Sequence, residues 1–305
     1  MNDPLISIIL CTYNGGKFLE EQIDSLLHQT YNNIEIIISD DASTDNTITI
    51  LDKYKHYTTI KIFFQPKNIG SAKSFEFCLR QSRGEFIAFS DQDDIWMPGK
   101  IQKMYEAIGD SYLLYSDSEL VNESGQSLHK NLSQLRRMYS GDQTTGFVFS
   151  NVVWGHAMFI NKKLLNYILP IPADIPHDGW IGFRATMLTG IKFLNMPLTK
   201  YRQHETSVTK TIAVKAVPRS AEKKYKDFQK KLYWIAVMRD HERSEYKLFY
   251  SRLYELYKRK ENERYVWRLF FFLLNNRKAF FMFTYKKWLS QVIEIFKQAR
   301  GESIS

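Results

Sequence analysis

Residues 85–96 read EFIAFSDQDDIW, an apolar run that ends in three carboxylates within four residues. The first six residues have the length and the apolar content of a buried β-strand. Neighbouring carboxylates repel one another unless a cation or hydrogen-bond donors balance them, and their oxygen atoms suit Mg²⁺ or Mn²⁺. The alternative interpretation of this cluster alone is an exposed acidic turn that caps a helix.

Three more buried strands are predicted at residues 5–11, 34–39 and 60–64, separated by helical patterns. Strands that alternate with helices form βαβ units, so we expect an α/β fold with a mostly parallel, Rossmann-like sheet flanked by helices. In such sheets, ligands bind beyond the carboxyl ends of the strands. Polar side chains fall at three of these ends: Thr12-Tyr13-Asn14, Asp40-Asp41 and residues 91–94.

The later part of the chain is less regular. Residues 112–122, 147–153, 156–161 and 198–203 are predicted strands, residues 123–146 a polar loop and residues 177–188 a helix. Residues 1–214 hold 20 Lys and Arg against 23 Asp and Glu, whereas residues 215–305 hold 22 against 10. This asymmetry predicts an α/β domain over residues 1–214 and a basic, aromatic-rich helical tail over residues 215–305.

Several protein classes are disfavoured by missing motifs. The sequence contains neither GxGxxG nor GxxxxGKS/T, which disfavours dehydrogenases and P-loop enzymes. Its two cysteines, Cys11 and Cys78, form no zinc-binding pattern and are expected to be buried residues of a protein in a reducing compartment. No signal-peptide pattern opens the chain, and no apolar run reaches the roughly 20 residues of a membrane span. These features predict a cytoplasmic protein.

Six short motifs, in this order and spacing, resemble those of the family 2 glycosyltransferases, which have the GT-A fold. The resemblance covers residues 5–210, and each motif alone is weak, whereas the set of six is specific. It implies a nucleotide-sugar half over residues 1–110 and an acceptor half over residues 111–214. The motifs are SIILCTYN (7–14), ISDDASTD (38–45), NIG (68–70), FSDQDDIW (89–96), HDGW (177–180) and YRQH (201–204).

The resemblance implies a role for individual residues. Asp178 takes the position of the catalytic base, although an acid at a helix N-terminus is commonly there only for the helix dipole. Asp93 and His204 take metal-binding positions for Mg²⁺ or Mn²⁺. Trp96, His156 and Trp180 lie on the acceptor side, and for His156 a hydrogen-bonded buried histidine is the alternative. The residues implied in donor binding are Thr12, Tyr13, Asn14, Asp40, Asp41, Lys67, Gly70, Lys73, Asp91, Gln92 and Arg202.

The implied activity is inverting, metal-dependent transfer of a sugar from a nucleoside-diphosphate donor. The wording of the 90–96, 177–180 and 201–204 motifs is most similar to the rhamnosyltransferase-like branch, which uses dTDP-rhamnose for cell-surface polysaccharide; a UDP-sugar is the other donor considered. The acceptor would be a hydroxyl of a glycan or of a lipid-linked glycan. The alternative functions are a catalytically inactive nucleotide-sugar-binding or scaffold protein and a nucleotidyltransferase, and the missing glycine-rich basic loop near residue 12 disfavours the latter.

The tail interleaves Lys and Arg with aromatic residues, most densely after residue 258. One interpretation is peripheral contact with the inner membrane face, where aromatic side chains lie at headgroup level and basic ones meet anionic lipid. The other is a helical appendage whose aromatic residues pack internally or against a second subunit. A nucleic-acid partner is not expected, because no recognition motif accompanies the charge.

Overall fold

The computed structural model describes residues 3–204, 220–242 and 246–302. The chain divides into two compact units, the first comprising Met1–Asp142 with Val152–Ile212 and the second Gln143–Asn151 with Ala213–Ser305. The predicted boundary between residues 214 and 215 lies outside the described residues. Among the helices that are described, none combines the length and the apolar character that crossing a membrane requires.

The first unit is built on one mixed sheet. Its strands are β1 (Ile6–Thr12), β2 (Ile34–Asp40), β3 (Ile60–Phe64), β4 (Phe86–Ser90), β5 (Ile95–Trp96), β6 (Leu113–Val121), β7 (Ser127–Asn131), β8 (Met158–Asn161) and β9 (Ile191–Arg202). They are ordered β3-β2-β1-β4-β8-β6-β9-β5, and β7 pairs with β6. The first four strands are mutually parallel, whereas β8 joins β4 and β6 in antiparallel fashion.

The parallel half follows from its sequence. Strands β1, β2 and β4 are apolar runs because βαβ connections cover both faces of a parallel sheet. Ile8 and Ile36 are register partners, and both are fully buried. The helices of this unit are α1 (Leu19–Leu27), α2 (Thr47–Asp52), α3 (Ser71–Gln81), α4 (Lys100–Ile108), α5 (Leu132–Leu135), α6 (Leu165–Ile168) and α7 (His177–Thr186).

Two expectations from the sequence were wrong. Residues 123–146 are not a continuous loop, because strand β7 and helix α5 form within them. The side chains of β7 are exposed or only half buried, so its sequence, SLHKN, carries no apolar pattern from which a strand could be predicted. Residues 147–153 form no strand, and Thr144–Val148 is a 3₁₀ turn of the second unit. Its carbonyl groups accept hydrogen bonds from side chains more than 80 positions away in sequence, Lys231 and Trp234.

The second unit is helical apart from short turns. Its core is aromatic: the rings of Phe147 and Phe283 lie 5.1 Å apart, as do those of Phe149 and Phe280. Part of the aromatic content of the tail therefore packs internally. The helices are α8 (Ala221–His241), α9 (Tyr246–Lys258), α10 (Trp267–Asn275), α11 (Arg277–Phe280) and α12 (Trp288–Gln298).

A buried carboxylate joins β1, β2, β3 and the start of β4. Glu35 is 3% exposed and accepts hydrogen bonds from the Ser7 hydroxyl, from the backbone N–H and the side chain of Arg83, and from Lys61. Burial raises the pKa of Glu35, but these hydrogen bonds outweigh burial and hold the pKa below its ordinary value. The ionised carboxylate therefore stabilises the fold.

Glu35→Gln is expected to destabilise the protein by about 2 kcal/mol at pH 7, because an amide cannot accept this set of charge-assisted hydrogen bonds. A group whose folded pKa is depressed stabilises the fold above its unfolded pKa and loses that effect as the pH falls through the folded value. The deficit should therefore shrink in acid. Urea unfolding at pH 7 and pH 4 measures both effects, with the exposed Glu20→Gln as control. An equal deficit at both pH values would contradict this account.

Candidate active site

The carboxyl ends of β1, β2 and β4 bring the predicted polar groups to one edge of the sheet. Thr12 pairs in register with Asp40, and Leu10 pairs with Ser90, so the acidic segment 91–94 starts at the same level. We call residues 91–94 the acid loop. The fold therefore brings together three of the polar groups that the sequence placed at strand ends.

Gln92 joins the acid loop to the segment after β1. Its side-chain oxygen accepts hydrogen bonds from the Thr12 hydroxyl at 2.7 Å and from the Tyr13 backbone N–H at 2.8 Å. A Cβ atom at Gly15 would lie 2.4 Å from that oxygen, so a larger residue there would displace the Gln92 side chain from these hydrogen bonds. The Tyr13 side chain is 46% exposed beside this contact, which leaves its ring open to a ligand.

Asp40 has an unusual carboxylate. The side chain is buried, and one oxygen accepts a hydrogen bond from the Ser43 backbone N–H at 3.1 Å. The other oxygen, Oδ1, has no hydrogen-bond partner among the described residues. Since an unsatisfied buried acceptor is costly, this oxygen suits an N–H donor supplied by a ligand.

The segment after β2 is held in a fixed conformation around Asp40. Ala42 has a φ of +63° and Asn14 a φ of +49°, both in the left-handed region that residues with a Cβ atom rarely adopt. The Asn14 backbone N–H donates to the Ser43 hydroxyl, and the Asn14 side-chain oxygen accepts from the Thr44 N–H. Asn14 therefore positions this loop from the β1 side.

The other donor-side residues are placed differently from one another. Asp41 accepts hydrogen bonds from the backbone N–H groups of Ile69 and Gly70 and so fixes the start of α3, where Gly70 has a φ of +83°. The Lys73 ammonium group donates to Glu76 and to a backbone carbonyl oxygen. Lys67 is exposed. Asp41 and Lys73 are thus engaged within the protein, whereas Lys67 is open to solvent.

The acid loop meets the end of β9. The His204 Nε2 atom lies 2.8 Å from a carboxylate oxygen of Asp93. Asp94 is completely buried; its Oδ1 accepts from the Arg202 backbone N–H, and its Oδ2 has no hydrogen-bond partner among the described residues. The predicted metal-binding pair Asp93 and His204 is therefore in direct contact.

Asp178 lies at the start of α7 and completes a concentration of negative charge. Loss of solvent contact raises the pKa of Asp91 to about 7; Asp93 and then Asp178 add to this by charge repulsion, and Lys100 opposes it. Burial, followed by the charges of Asp93 and Asp91, likewise raises the pKa of Asp94. Carboxylates crowded in this way favour binding of a divalent cation.

His177, beside Asp178, has a different environment. Its ring lies 4.2 Å from that of Phe75, burial lowers its pKa to about 3, and its Nε2 atom has no hydrogen-bond partner among the described residues. His177 is therefore neutral at physiological pH.

Lys100 is the buried cation beside this cluster. Its ammonium group donates to the His156 carbonyl at 2.7 Å and to the Thr199 hydroxyl at 2.8 Å, and it lies 3.8 Å from the centre of the Trp96 ring. Burial lowers the pKa of Lys100 to about 7, and the charges of Asp94 and Asp91 oppose that effect. Sequence analysis missed Lys100; the available signal was its position one helical turn before the buried Met104.

The buried Arg202 side chain connects three separate segments of the chain. Its guanidinium group donates to the backbone carbonyls of Asp93 and Glu123 and to the carboxylate of Glu21, and it lies over the Phe18 ring at 4.7 Å. The side chain is 2% exposed. Arg202 therefore positions the acid loop, and a direct contact with a donor diphosphate would have to reach one of the remaining N–H groups of this buried side chain.

The three predicted acceptor-side residues are all buried. Trp96 and Trp180 are each 2% exposed, and the Trp180 indole N–H donates to the Ile168 carbonyl. His156 is 1% exposed; its Nε2 lies 2.8 Å from the Ser118 hydroxyl, and its ring stacks on Tyr201 at 4.3 Å. Burial lowers the pKa of His156 well below its usual value, and Lys100 adds to this. Because these side chains are buried, they can support the walls of an acceptor site but are not exposed to contact an acceptor.

The residues of the acid loop fit a divalent cation. Carboxylate oxygens with one imidazole nitrogen suit Mn²⁺ or Mg²⁺. The Asp94 Oδ2 lies in this negative environment, has no hydrogen-bond partner among the described residues and is 3.9 Å from the His156 Nδ1. Two ligand sets are available. One is the predicted pair Asp93 and His204, and the other is Asp91, Asp94 and His156, whose candidate ligand atoms all lie within 4.8 Å of one another.

Comparisons with known proteins agree with this geometry. A family model described as "Glycosyl transferase family 2" matches residues 7–169. The uncharacterized glycosyltransferase RT0329 of Rickettsia typhi is 28% identical over 217 residues, which cover 68% of this chain and 67% of that protein. An uncharacterized glycosyltransferase of Rickettsia felis is 34% identical over 229 residues, covering 69% of this chain but 36% of that longer protein.

Solved structures show the same fold at low identity. S. aureus TarS 1-349, in complex with UDP-GlcNAc, has a TM-score of 0.58 and 18% identity, covering 90% of this chain and 81% of that one. The mannosyltransferase PcManGT of Pyrobaculum calidifontis, in complex with GDP-Man and Mn²⁺, has a TM-score of 0.54 and 17% identity, covering 84% and 71%. The expected GT-A fold with a helical C-terminal region is therefore confirmed.

Lys100→Met is expected to destabilise the protein by about 3 kcal/mol, because it leaves buried carboxylates without their nearby cation. Urea unfolding at pH 7 measures the change. Lys103→Met is the matched control, since Lys103 is exposed on the same helix and its loss should cost less than about 0.5 kcal/mol. Unchanged stability of Lys100→Met would show that the carboxylates do not depend on this ammonium group.

Proposed function

The chain belongs to glycosyl transferase family 2, and from this membership we propose that it transfers a sugar from a nucleoside-diphosphate donor to an acceptor hydroxyl with inversion at the anomeric carbon. One observation carries the proposal. The Asp40 Oδ1, which has no hydrogen-bond partner in the part of the chain that the structure describes, lies at the same edge of the sheet as the acid loop, and the charge of Asp178 contributes to the raised pKa of Asp91 in that loop.

The donor base would bind at the β1 and β2 ends. Asp40 offers a buried acceptor that lacks a donor, which suits the N–H group of a uracil or thymine base. Tyr13 offers an exposed ring beside it, and Gln92 holds the two loops together. Lys67 is an exposed basic side chain just before Gly70, whose backbone N–H donates to Asp41. These features support a UDP or dTDP donor.

Asp93 and His204 would hold Mg²⁺ or Mn²⁺ together with the donor diphosphate. When bound, the ion would neutralise the charge that develops on the leaving group. The protein contributes the orientation of these ligands, because Arg202 fixes the loop through the Asp93 carbonyl. The solved neighbour PcManGT is a complex with Mn²⁺, in line with a metal in this fold.

Asp178 would act as the general base. The acceptor hydroxyl gives its proton to the Asp178 carboxylate while its oxygen bonds to the anomeric carbon, and the bond from that carbon to the phosphate oxygen breaks. The nucleoside diphosphate leaves on the opposite face, so the anomeric centre inverts. At the start of α7, the Asp178 Oδ1 accepts a hydrogen bond from the Gly179 N–H, which fixes the position of this carboxylate.

The finer assignment follows the sequence motifs. The residues of the 90–96, 177–180 and 201–204 motifs favour a donor of the dTDP-rhamnose type. The acceptor is a glycan or lipid-linked glycan of a cell-surface polysaccharide. TarS and PcManGT are complexes with UDP-GlcNAc and GDP-Man, so these donors belong in any screen.

A donor screen tests the proposal directly. The full chain is incubated with Mn²⁺ and each of dTDP-rhamnose, UDP-GlcNAc and GDP-mannose, and release of the nucleoside diphosphate is measured with and without glycan acceptors. Turnover of one donor above the others is expected. Binding of donors without any turnover across acceptors would instead favour the inactive nucleotide-sugar-binding alternative.

Activity is expected to disappear with a chelator and to return with Mn²⁺. Asp93→Asn and His204→Gln should each raise the Mn²⁺ concentration for half-maximal rate by about tenfold or more, because each removes a ligand. His156→Gln is the comparison, since His156 belongs to the other candidate ligand set. A larger effect of His156→Gln would move the ion to Asp91, Asp94 and His156, and full activity in excess chelator would exclude a metal requirement.

Asp178→Asn is expected to lower kcat by roughly 10²–10⁴-fold while donor affinity stays nearly unchanged, as for loss of a general base. Donor affinity is measured separately by calorimetry. Asp174→Asn, in the segment before α7, is the control and should keep wild-type turnover. Near-normal turnover of Asp178→Asn would place the base elsewhere.

A further inference from the structure

Helices α10 and α12 expose large apolar side chains along one side. The exposed fractions lie between 48% and 62%, although the opposite sides of the same helices bury Leu269, Leu273 and Ile295. The core of the second unit therefore fixes which side of each helix faces solvent. We call the exposed set the aromatic face; it consists of Trp267, Phe271, Trp288, Leu289, Ile293 and Phe296.

Tyr265, just before α10, bridges the two helices and makes this face continuous. The Tyr265 ring lies 4.5 Å from that of Trp267 on α10 and 5.0 Å from that of Phe296 on α12. Along α12, Leu289, Ile293 and Phe296 follow the i, i+4, i+7 spacing of one helical side. Monomeric proteins rarely expose a contiguous patch of large apolar side chains without a partner.

The segment that carries the aromatic face is rich in basic residues. Residues 264–300 contain eight Lys and Arg residues and one acidic residue, Glu294, which is paired with Lys286 at 3.5 Å. Lys286 and Lys287 are exposed directly before α12, and Lys297 is exposed near its end. The partner of this surface must therefore be apolar and negatively charged.

These charges decide between the candidate partners. A second copy of the chain would bring two strongly basic segments together, and like charges across an interface oppose association. The surface of an anionic bilayer supplies both requirements, because aromatic and aliphatic side chains enter the headgroup region while Lys and Arg meet anionic lipid. We propose that the aromatic face binds the surface of an anionic phospholipid bilayer; this inference does not depend on the transfer reaction.

Vesicle co-sedimentation of the full chain tests the proposal. With vesicles of equimolar phosphatidylglycerol and phosphatidylcholine, we expect binding that high salt weakens but does not abolish, since salt screens only the charged part. Binding to pure phosphatidylcholine vesicles should be at least about tenfold weaker than binding to the anionic vesicles. No binding to the anionic vesicles at low salt would overturn the proposal.

Substitutions separate the two contributions. The double variant Phe271→Ser with Ile293→Ser takes one side chain from each helix and should weaken binding by about tenfold, including the salt-resistant part. The double variant Lys286→Gln with Lys287→Gln should reduce mainly the salt-sensitive part. Leu248→Ser is the matched control, because Leu248 is 81% exposed on α9 but outside the aromatic face.

The variants change exposed side chains, and circular dichroism together with urea unfolding verifies that each one is folded. Equal loss of binding in Leu248→Ser, or wild-type binding by Phe271→Ser with Ile293→Ser, would overturn the assignment of this face. So would a dimer in sedimentation equilibrium that Phe271→Ser with Ile293→Ser dissociates while vesicle binding stays unchanged.

Discussion

The crowding of carboxylates at the acid loop is the constraint on which the site depends. Asp91, Asp93 and Asp94 lie within the four positions after β4, and the charge of Asp178 acts on them from α7. Their mutual repulsion would push the loop apart unless positive groups were held nearby. Lys100 supplies a buried ammonium group from α4, and Arg202 supplies a guanidinium group from the end of β9. Burial, followed by this crowding, raises the pKa of Asp91 to about 7, and the concentrated negative charge makes the loop receptive to a divalent cation.

The two cations act in different ways because their side chains have different chemistry. Arg202 presents several N–H donors in a rigid plane, and it joins the acid loop, the segment after β6 and helix α1 through three separate acceptors. Lys100 donates to neutral oxygens and balances the nearby carboxylates through its charge alone. Arg202 thus fixes the position of the acid loop, whereas Lys100 lowers the electrostatic cost of burying the carboxylates of Asp91 and Asp94.

Much of the site could be predicted from the sequence because its signals are local. A buried apolar run followed by acids marks the end of β4, and the same pattern marks Asp40 after β2. The roles of Lys100 and Arg202 could not be predicted, since their partners lie up to 181 positions away and depend on the folded arrangement. The strand prediction for residues 147–153 was wrong for the same reason. An apolar pattern is compatible with a strand, whereas contacts with distant aromatic residues of the second unit accompany the turn at Thr144–Val148.

The tail shows how burial separates structural side chains from those available for a partner. The core of the second unit is formed in part by buried aromatic side chains, which include Phe280, Phe281 and Phe283. The outer side chains of α10 and α12 remain about half exposed, so packing within this unit does not account for their size. Polar residues at these positions would keep the buried sides of both helices intact and would avoid exposing apolar surface to water. Large apolar side chains there, within residues 264–300 with their eight basic residues and one acid, are therefore not required by the packing of this unit and remain available to a partner.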